Sequence, residues 1–167
     1  MSNATDVDMA KRLARAERDW ESMQRICHDF FHGWRHTVQD RFGPEVAKEL
    51  EMRFYECIGE GTGKTYLDRG GKSDDLGKIV QSLVRASEVM GETAHLIRED
   101  DAVLLVHTAC PWMDSFGATG APNQCQASCD HWFQTTAKSI SPKIKVVTER
   151  AQPSGDASCT RRFSFAQ

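Results

Sequence analysis

The chain has 167 residues, 40% hydrophobic and 27% charged, with a formal net charge of -3 and a pI near 6.1. That length suffices for one domain, residues 1–167, with its own core; the mild acidity and scattered basic residues exclude the basic face of a nucleic-acid binder. No apolar run approaches the roughly 18 residues of a membrane span, and the polar stretch Met1 to Lys11 is no secretory signal. The expected setting is therefore cytoplasmic.

From about Asp8 to Gln39 the apolar residues step at helical spacing. Leu13, Ala16, Trp20, Met23, Cys27, Phe30, Trp34 and Val38 form the expected seam, with charges opposite. Gly43-Pro44 ends this helix and opens a second, with proline at its first position; Val46, Ala47, Leu50, Phe54, Cys57 and Ile58 line it. Gly59 to Gly71 reads as a glycine-rich connection with a short helical piece near Tyr66. Ser73-Asp74-Asp75 caps a third helix, whose Leu76, Ile79, Val80, Leu83 and Val84 share one face and which Gly91 closes.

After Gly91 the period changes from 3.6 to two. Glu92 to Ile97 and Val103 to Ala109 read as a hairpin around Arg98-Glu99-Asp100-Asp101. A Gly/Pro-rich loop is expected over Cys110 to Ala121, then a helix from Pro122 to about Ser139. Strands are expected over Lys143 to Arg150 and Cys159 to Phe165. The expectation is an α+β fold: a helical half, 1–91, followed by hairpin–helix–hairpin, 92–167, forming one four-stranded antiparallel sheet with helices on one face.

Gly59-Glu60-Gly61-Thr62-Gly63-Lys64-Thr65 resembles a phosphate-binding loop but lacks its spacing and follows a helix instead of a strand. No nucleotide is expected there. His28, His32 and His36 form an i, i+4, i+8 row that reads as a partly exposed polar stripe beside the apolar seam.

Six cysteines, Cys27, Cys57, Cys110, Cys125, Cys129 and Cys159, are expected reduced in a chain of this size without an export signal. His107 and Cys110 stand where a strand meets its loop, Cys125 and Cys129 share a helix face, and Cys159 begins the last strand. In a hairpin–helix–hairpin unit these segments are neighbours. Thiolates are soft metal ligands and, once their pKa falls, strong nucleophiles; buried cysteines are also ordinary core residues, and both readings stay open. His131 could act with Asp114 as an acid–base pair, and Glu149 at a strand end is a further candidate acid or ligand.

The run Cys110-Pro111, Cys125-Gln126-Ala127-Ser128-Cys129-Asp130, Ile140-Ser141-Pro142-Lys143-Ile144, Gly155-Asp156 and Cys159-Thr160-Arg161-Arg162-Phe163-Ser164-Phe165 resembles the C-terminal part of the L-2-amino-thiazoline-4-carboxylate hydrolase-like family. The resemblance implies hydrolysis of a small cyclic C–N bond, with Cys110, Cys125, Cys129 and Cys159 as candidates and His107 and His131 as nearby bases. The same ending is similar to vinyl-reductase-type small-molecule-binding domains of bacterial sensors, in which cysteines and an acid hold zinc. Here Glu149 stands at the acid's place, but Gln152 stands where a further cysteine belongs.

The reading that follows is a hydrolase of a small cyclic, thiazoline- or amide-like metabolite. Its expected catalytic residues are Cys110, Cys129, His107 and His131, with Cys125 and Cys159 as candidate ligands for zinc or another divalent ion. The alternative is a non-catalytic small-molecule- or metal-binding sensor-like module. The expected partner is a small molecule, with no nucleic acid and no membrane; self-association into a homo-oligomer is left open.

Overall fold

The computed structural model describes residues 4–166. Two long helices, α1 (Ala4–Phe42) and α2 (Pro44–Asp68), precede α3 (Leu76–Val89). The hairpin β1 (Thr93–Arg98) and β2 (Ala102–Ala109) leads to a short helix α4 (Pro111–Ala118) and to α5 (Pro122–Ile140). Strands β3 (Ile144–Arg150) and β4 (Cys159–Phe165), joined through a 3₁₀ turn at Gln152–Ser154, complete an antiparallel sheet of order β1-β2-β4-β3. This is the expected α+β fold.

Local chemistry sets the boundaries. Gly43, at φ +88°, turns the chain between α1 and α2, and Pro44 starts α2. The Asp75 carboxylate accepts from the Lys78 N–H at 3.0 Å and caps α3. Gly91, at φ +85°, closes it in a Schellman turn: Glu92 N donates to Ser87 O at 3.0 Å and Gly91 N to Glu88 O at 3.0 Å. That turn brings the side chains of Ser87 and Glu92 to the same end of the sheet.

The main core lies between the sheet and α3 and α5. Ile79, Val80, Leu83 and Val84 meet Val103, Leu105, Phe133, Ala137, Ile140, Ile144 and Phe163. Each such side chain contributes about 1.5–3 kcal/mol on burial. A second, aromatic cluster joins Phe31, Phe116 and Cys125 to Tyr55, Trp112 and Met113, and binds α1 and α2 to α4 and α5.

Three expectations need correction. Residues 59–68 are not a connection but the last turns of α2. Gly59 and Gly63 are buried there because α5 lies against their backbone: a Cβ on Gly59 would stand 3.0 Å from Trp132 O, and one on Gly63 2.9 Å from Thr136 O. Two glycines one turn apart thus form a helix-packing face, and tertiary contact overrides their poor helix propensity. Residues 111–118 form α4, started by Pro111, instead of a loop.

The third correction concerns α1. Its expected seam faces outward: Leu13, Trp20, Met23, Cys27, Phe30 and Trp34 are exposed, and among the seam positions Val38 is buried. The face turned inward carries His28, Phe31, His32 and Arg35 instead. These polar side chains find partners inside, which periodicity in hydrophobicity does not register. Arg35 pairs with the fully buried Glu51 at 2.9 Å and with Gln124, while Ser128 Oγ donates to Glu51 at 2.5 Å.

Candidate functional site

The sheet's inward face is apolar at one end and polar at the other. Strand register aligns His107 with Cys159 across β2 and β4, and Arg161 with Leu105 and Thr148. His107, Cys159 and Arg161 therefore share a face with Leu105 and Phe163, because alternate strand residues point the same way.

His107 is 2% exposed. Its Nε2 lies 3.0 Å from Glu92 Oε2 and 2.9 Å from Ser87 Oγ, the two groups gathered by the Schellman turn. With the proton on Nε2, donated to Glu92, the imidazole keeps an unshared pair on Nδ1, which is buried and has no hydrogen-bond partner. A carboxylate that fixes the tautomer and orientation of a histidine is the arrangement of a general base.

Arg161 is 1% exposed. Asp130 Oδ1 accepts from its Nε at 3.0 Å and Nη2 at 2.9 Å, and Thr148 Oγ1 donates to the same oxygen at 2.6 Å. The guanidinium lies 4.8 Å from the centre of the Phe133 ring. Nη1 is buried without a partner.

The helices close over these groups with rings. His28 stacks on Trp112, centroids 3.9 Å apart, and Phe31 meets Tyr55, Trp112 and Phe116 at 5.6–5.7 Å. His32 Nε2 lies 3.0 Å from Ser115 Oγ. Burial lowers the pKa of both His28 and His32, against the pull of Asp29, which favours the neutral rings near pH 7. His28 Nε2 and His32 Nδ1 are also buried and unpartnered.

The thiols sit in the same interior. Burial pushes Cys110 up to about 12, with Glu92 adding to the rise, and Cys125 up to about 12, with Cys129 and Cys159 adding to it. Burial likewise raises Cys129, despite the nearby Arg161. The three thiols are therefore protonated near neutral pH, the reverse of what an activated nucleophile needs. Cys125 packs among Phe31 and Phe116, and Cys129 against the main core. Cys159 Sγ accepts from Gln152 N at 3.3 Å.

His131 stands apart, on the side of α5 that faces α2, where it helps Arg53 to hold the Glu56 carboxyl below its usual range. Of the histidine row on α1, His28 and His32 belong to the interior, and His36 is exposed beside Asp40 at 3.3 Å. Glu149 turns outward to Arg162, 2.5 Å away. Among the described residues no group of three His, Cys, Asp or Glu could hold a metal ion.

A surface concavity of about 590 Å³ lies at the other end of the sheet, by Asp74, Asp75, Arg98, Glu99 and Asp101. The interior cluster is the better candidate site. Leaving a buried donor or acceptor unsatisfied costs about 1–3 kcal/mol, and four such atoms, on His28, His32, His107 and Arg161, lie in this one cluster.

Sequence reasoning included His107 and the four cysteines but missed Glu92, Ser87, Arg161, Tyr55 and Trp112. One signal was available for Arg161: a charge between Cys159 and Phe163, at an inward position of an alternating strand, is anomalous unless it is paired inside.

Helices over one face of a four-stranded antiparallel sheet, with an ionic and aromatic cluster enclosed at one end, define an α+β protein with an interior polar site. The chain matches the family model described as L-2-amino-thiazoline-4-carboxylic acid hydrolase over residues 23–163, and it belongs to that family. The match extends well beyond the C-terminal part and includes the histidines of α1. No curated protein matches the chain. Among solved structures it is similar to the phenol-responsive sensory domain of the transcription activator PoxR, crystallised with phenol, with a TM-score of 0.62 and 13% identity over 83% of this chain and 74% of that one. At that identity the likeness is one of fold. Among the described residues no helix is long and apolar enough to cross a membrane.

Proposed function

We propose that the interior cluster binds a small planar ring bearing an anionic substituent and hydrolyses a cyclic C–N bond in it, with His107 as general base. The observation that carries this reading is the Glu92–His107 pair, which leaves Nδ1 buried and unpartnered on the sheet face that also carries the equally unpartnered Arg161 Nη1. The family's printed substrate, a 2-amino-thiazoline carboxylic acid, suits both groups. Its carboxylate would pair with Arg161, and its ring would lie among His28, Tyr55 and Trp112.

In the proposed reaction, water adds to the amidine carbon of the ring while His107 Nδ1 takes its proton. The ring C–N bond then breaks as the added hydroxyl becomes a carbonyl, and the proton held by His107 and the hydroxyl's proton both end on the departing nitrogen. The products are a free amine and a carbamoyl group left on sulfur, so one water is consumed and no redox change occurs. Glu92 offsets the charge on the imidazolium. The thiols, held neutral by burial, serve as small packing groups and not as the nucleophile.

The test is loss of the ring of L-2-amino-thiazoline-4-carboxylate, followed by proton NMR. Turnover by the wild type is expected, with His107→Asn lowering kcat by about 10²–10⁴ while the ligand still binds. Binding without any turnover by the wild type would instead support a sensor-like, binding-only role. The protonated thiols and the fold shared with a phenol-responsive domain favour that second reading.

A further inference from the structure

α1 turns one face to the protein's own fold and leaves a second face largely exposed. The outward face carries Met9, Leu13, Ala16, Trp20, Met23, Cys27, Phe30 and Trp34, in uninterrupted alternating steps of four and three residues. This is a strict 3.5-residue repeat sustained for more than three heptads, the pattern of a seam between supercoiled helices and not of a helix lying on a globular core. All eight positions are exposed, Phe30 by 76% and Met23 by 58%. From Asp6 to Glu21 every residue except Ala14 is exposed. Within that stretch the Trp20 indole donates to Val89 O at 3.0 Å and ties the helix to the body.

We propose that a second copy of this chain covers this face, the two α1 helices pairing antiparallel as a two-stranded coiled coil. The repeat calls for a helical partner with the same period, and this chain supplies one. The larger side chains of the seam expose roughly 700 Å² per copy, and Ile26, Leu50, Phe54 and Ile58 beside it bring the total to about 1,000 Å². A stable interface needs about 800 Å² from each partner, and an apolar patch of this size is unusual on a monomer.

The direction follows from the shape of the patch. The N-terminal half of the seam is a bare helix, whereas the C-terminal half broadens onto α2 at Leu50 and Phe54. Antiparallel pairing lays each bare half on the broad half of the other copy. Leu13 then meets the second copy's Phe30, and Ala16 its Cys27. An adjacent face of the same helix presents His28, Phe31 and His32 to the interior, so pairing would also brace one wall of the site.

Sedimentation of the full chain at micromolar concentration should give twice the 18.8 kDa chain mass. Leu13→Glu and Phe30→Glu, both at exposed positions, should give the monomer mass with an unchanged circular dichroism spectrum. In a Cys57→Ser background, Ala16→Cys should form an intermolecular disulfide with Cys27 under mild oxidation; the two sites are too far apart along one helix to join within a chain. A wild type that stays monomeric, or a dimer indifferent to both glutamates, overturns the proposal. Efficient Cys27-to-Cys27 crosslinking in the Cys57→Ser protein overturns the antiparallel order.

Discussion

Replacing Gly63 by alanine sets two opposed effects against each other. In an isolated helix the change stabilises by about 1 kcal/mol, because alanine has the better helix propensity. Here the new Cβ would stand 2.8 Å from Ser139 Cβ and 2.9 Å from Thr136 O. The serine can rotate its hydroxyl, but neither its Cβ nor the backbone carbonyl can move without α5. Reaching ordinary contact requires a retreat of about 0.5 Å, and overpacking of this kind costs about 1–3 kcal/mol. The clash should win, leaving Gly63→Ala less stable by up to about 2 kcal/mol net and its Tm lower by up to about 4–8 °C. Gly61, two residues away in the same helix, is exposed and has nothing within 4 Å of its would-be Cβ. Gly61→Ala should gain the propensity term alone and raise Tm by about 2–4 °C. Calorimetry of the two variants side by side decides the matter: if Gly63→Ala melts as high as Gly61→Ala, the close α2–α5 packing is wrong.

Glu51→Ala should cost about 3–5 kcal/mol in urea denaturation, since it strands the buried Arg35 and Ser128; a loss under 1 kcal/mol would place Arg35 in solvent. The neutral rings of the buried His28 and the half-buried His32 have folded pKa values below the unfolded 6.5, so the unfolded state takes up protons first. Stability is therefore full above pH 6.5 and should fall as pH drops through 6.5 towards the lower folded values; Tm measured from pH 7.5 to 5 should decline, and the decline should flatten in His28→Asn. Under native conditions a thiol reagent should modify the exposed Cys27 and Cys57 first, with Cys110, Cys125 and Cys129 reacting only on unfolding; peptide mapping of the labelled sites checks the order.

The C-terminal half was legible because its signals are local. Alternation in Ile144-Val146-Thr148 gave the first strand of the second hairpin, the turn through Pro153-Ser154-Gly155-Asp156 led to the second, and Gly91 gave the end of α3. The failures share a cause. Gly59 and Gly63 look like a loop until α5 is seen to need their missing side chains. The α1 seam looked like a core face because hydrophobic period alone does not say whether the partner is the chain's own body. The Glu92–His107 pair spans a helix cap and a strand 15 residues away, so neither residue carries a mark of the other. Arg161 was readable in principle, as a charge at an inward strand position, but only once its neighbour Asp130 on α5 was in view.

The interior site draws its ionisable groups and its outline from different segments. Ser87, Glu92, His107, Asp130 and Arg161 come from the α3 cap, α5 and the sheet, all anchored beside the main core. The rings that bound the site, His28, Phe31, Tyr55, Trp112 and Phe116, come from α1, α2 and α4. On the proposed function, ligand outline and proton chemistry are thus separately adjustable. Trimming Trp112 or Phe116 on the eight-residue α4 redraws which ring is admitted, while the Glu92–His107 bond and the Arg161 ion pair stay where the sheet holds them. If the cluster binds the proposed ligand, retailoring it to another of the same charge is a matter of α4, not of refolding the sheet.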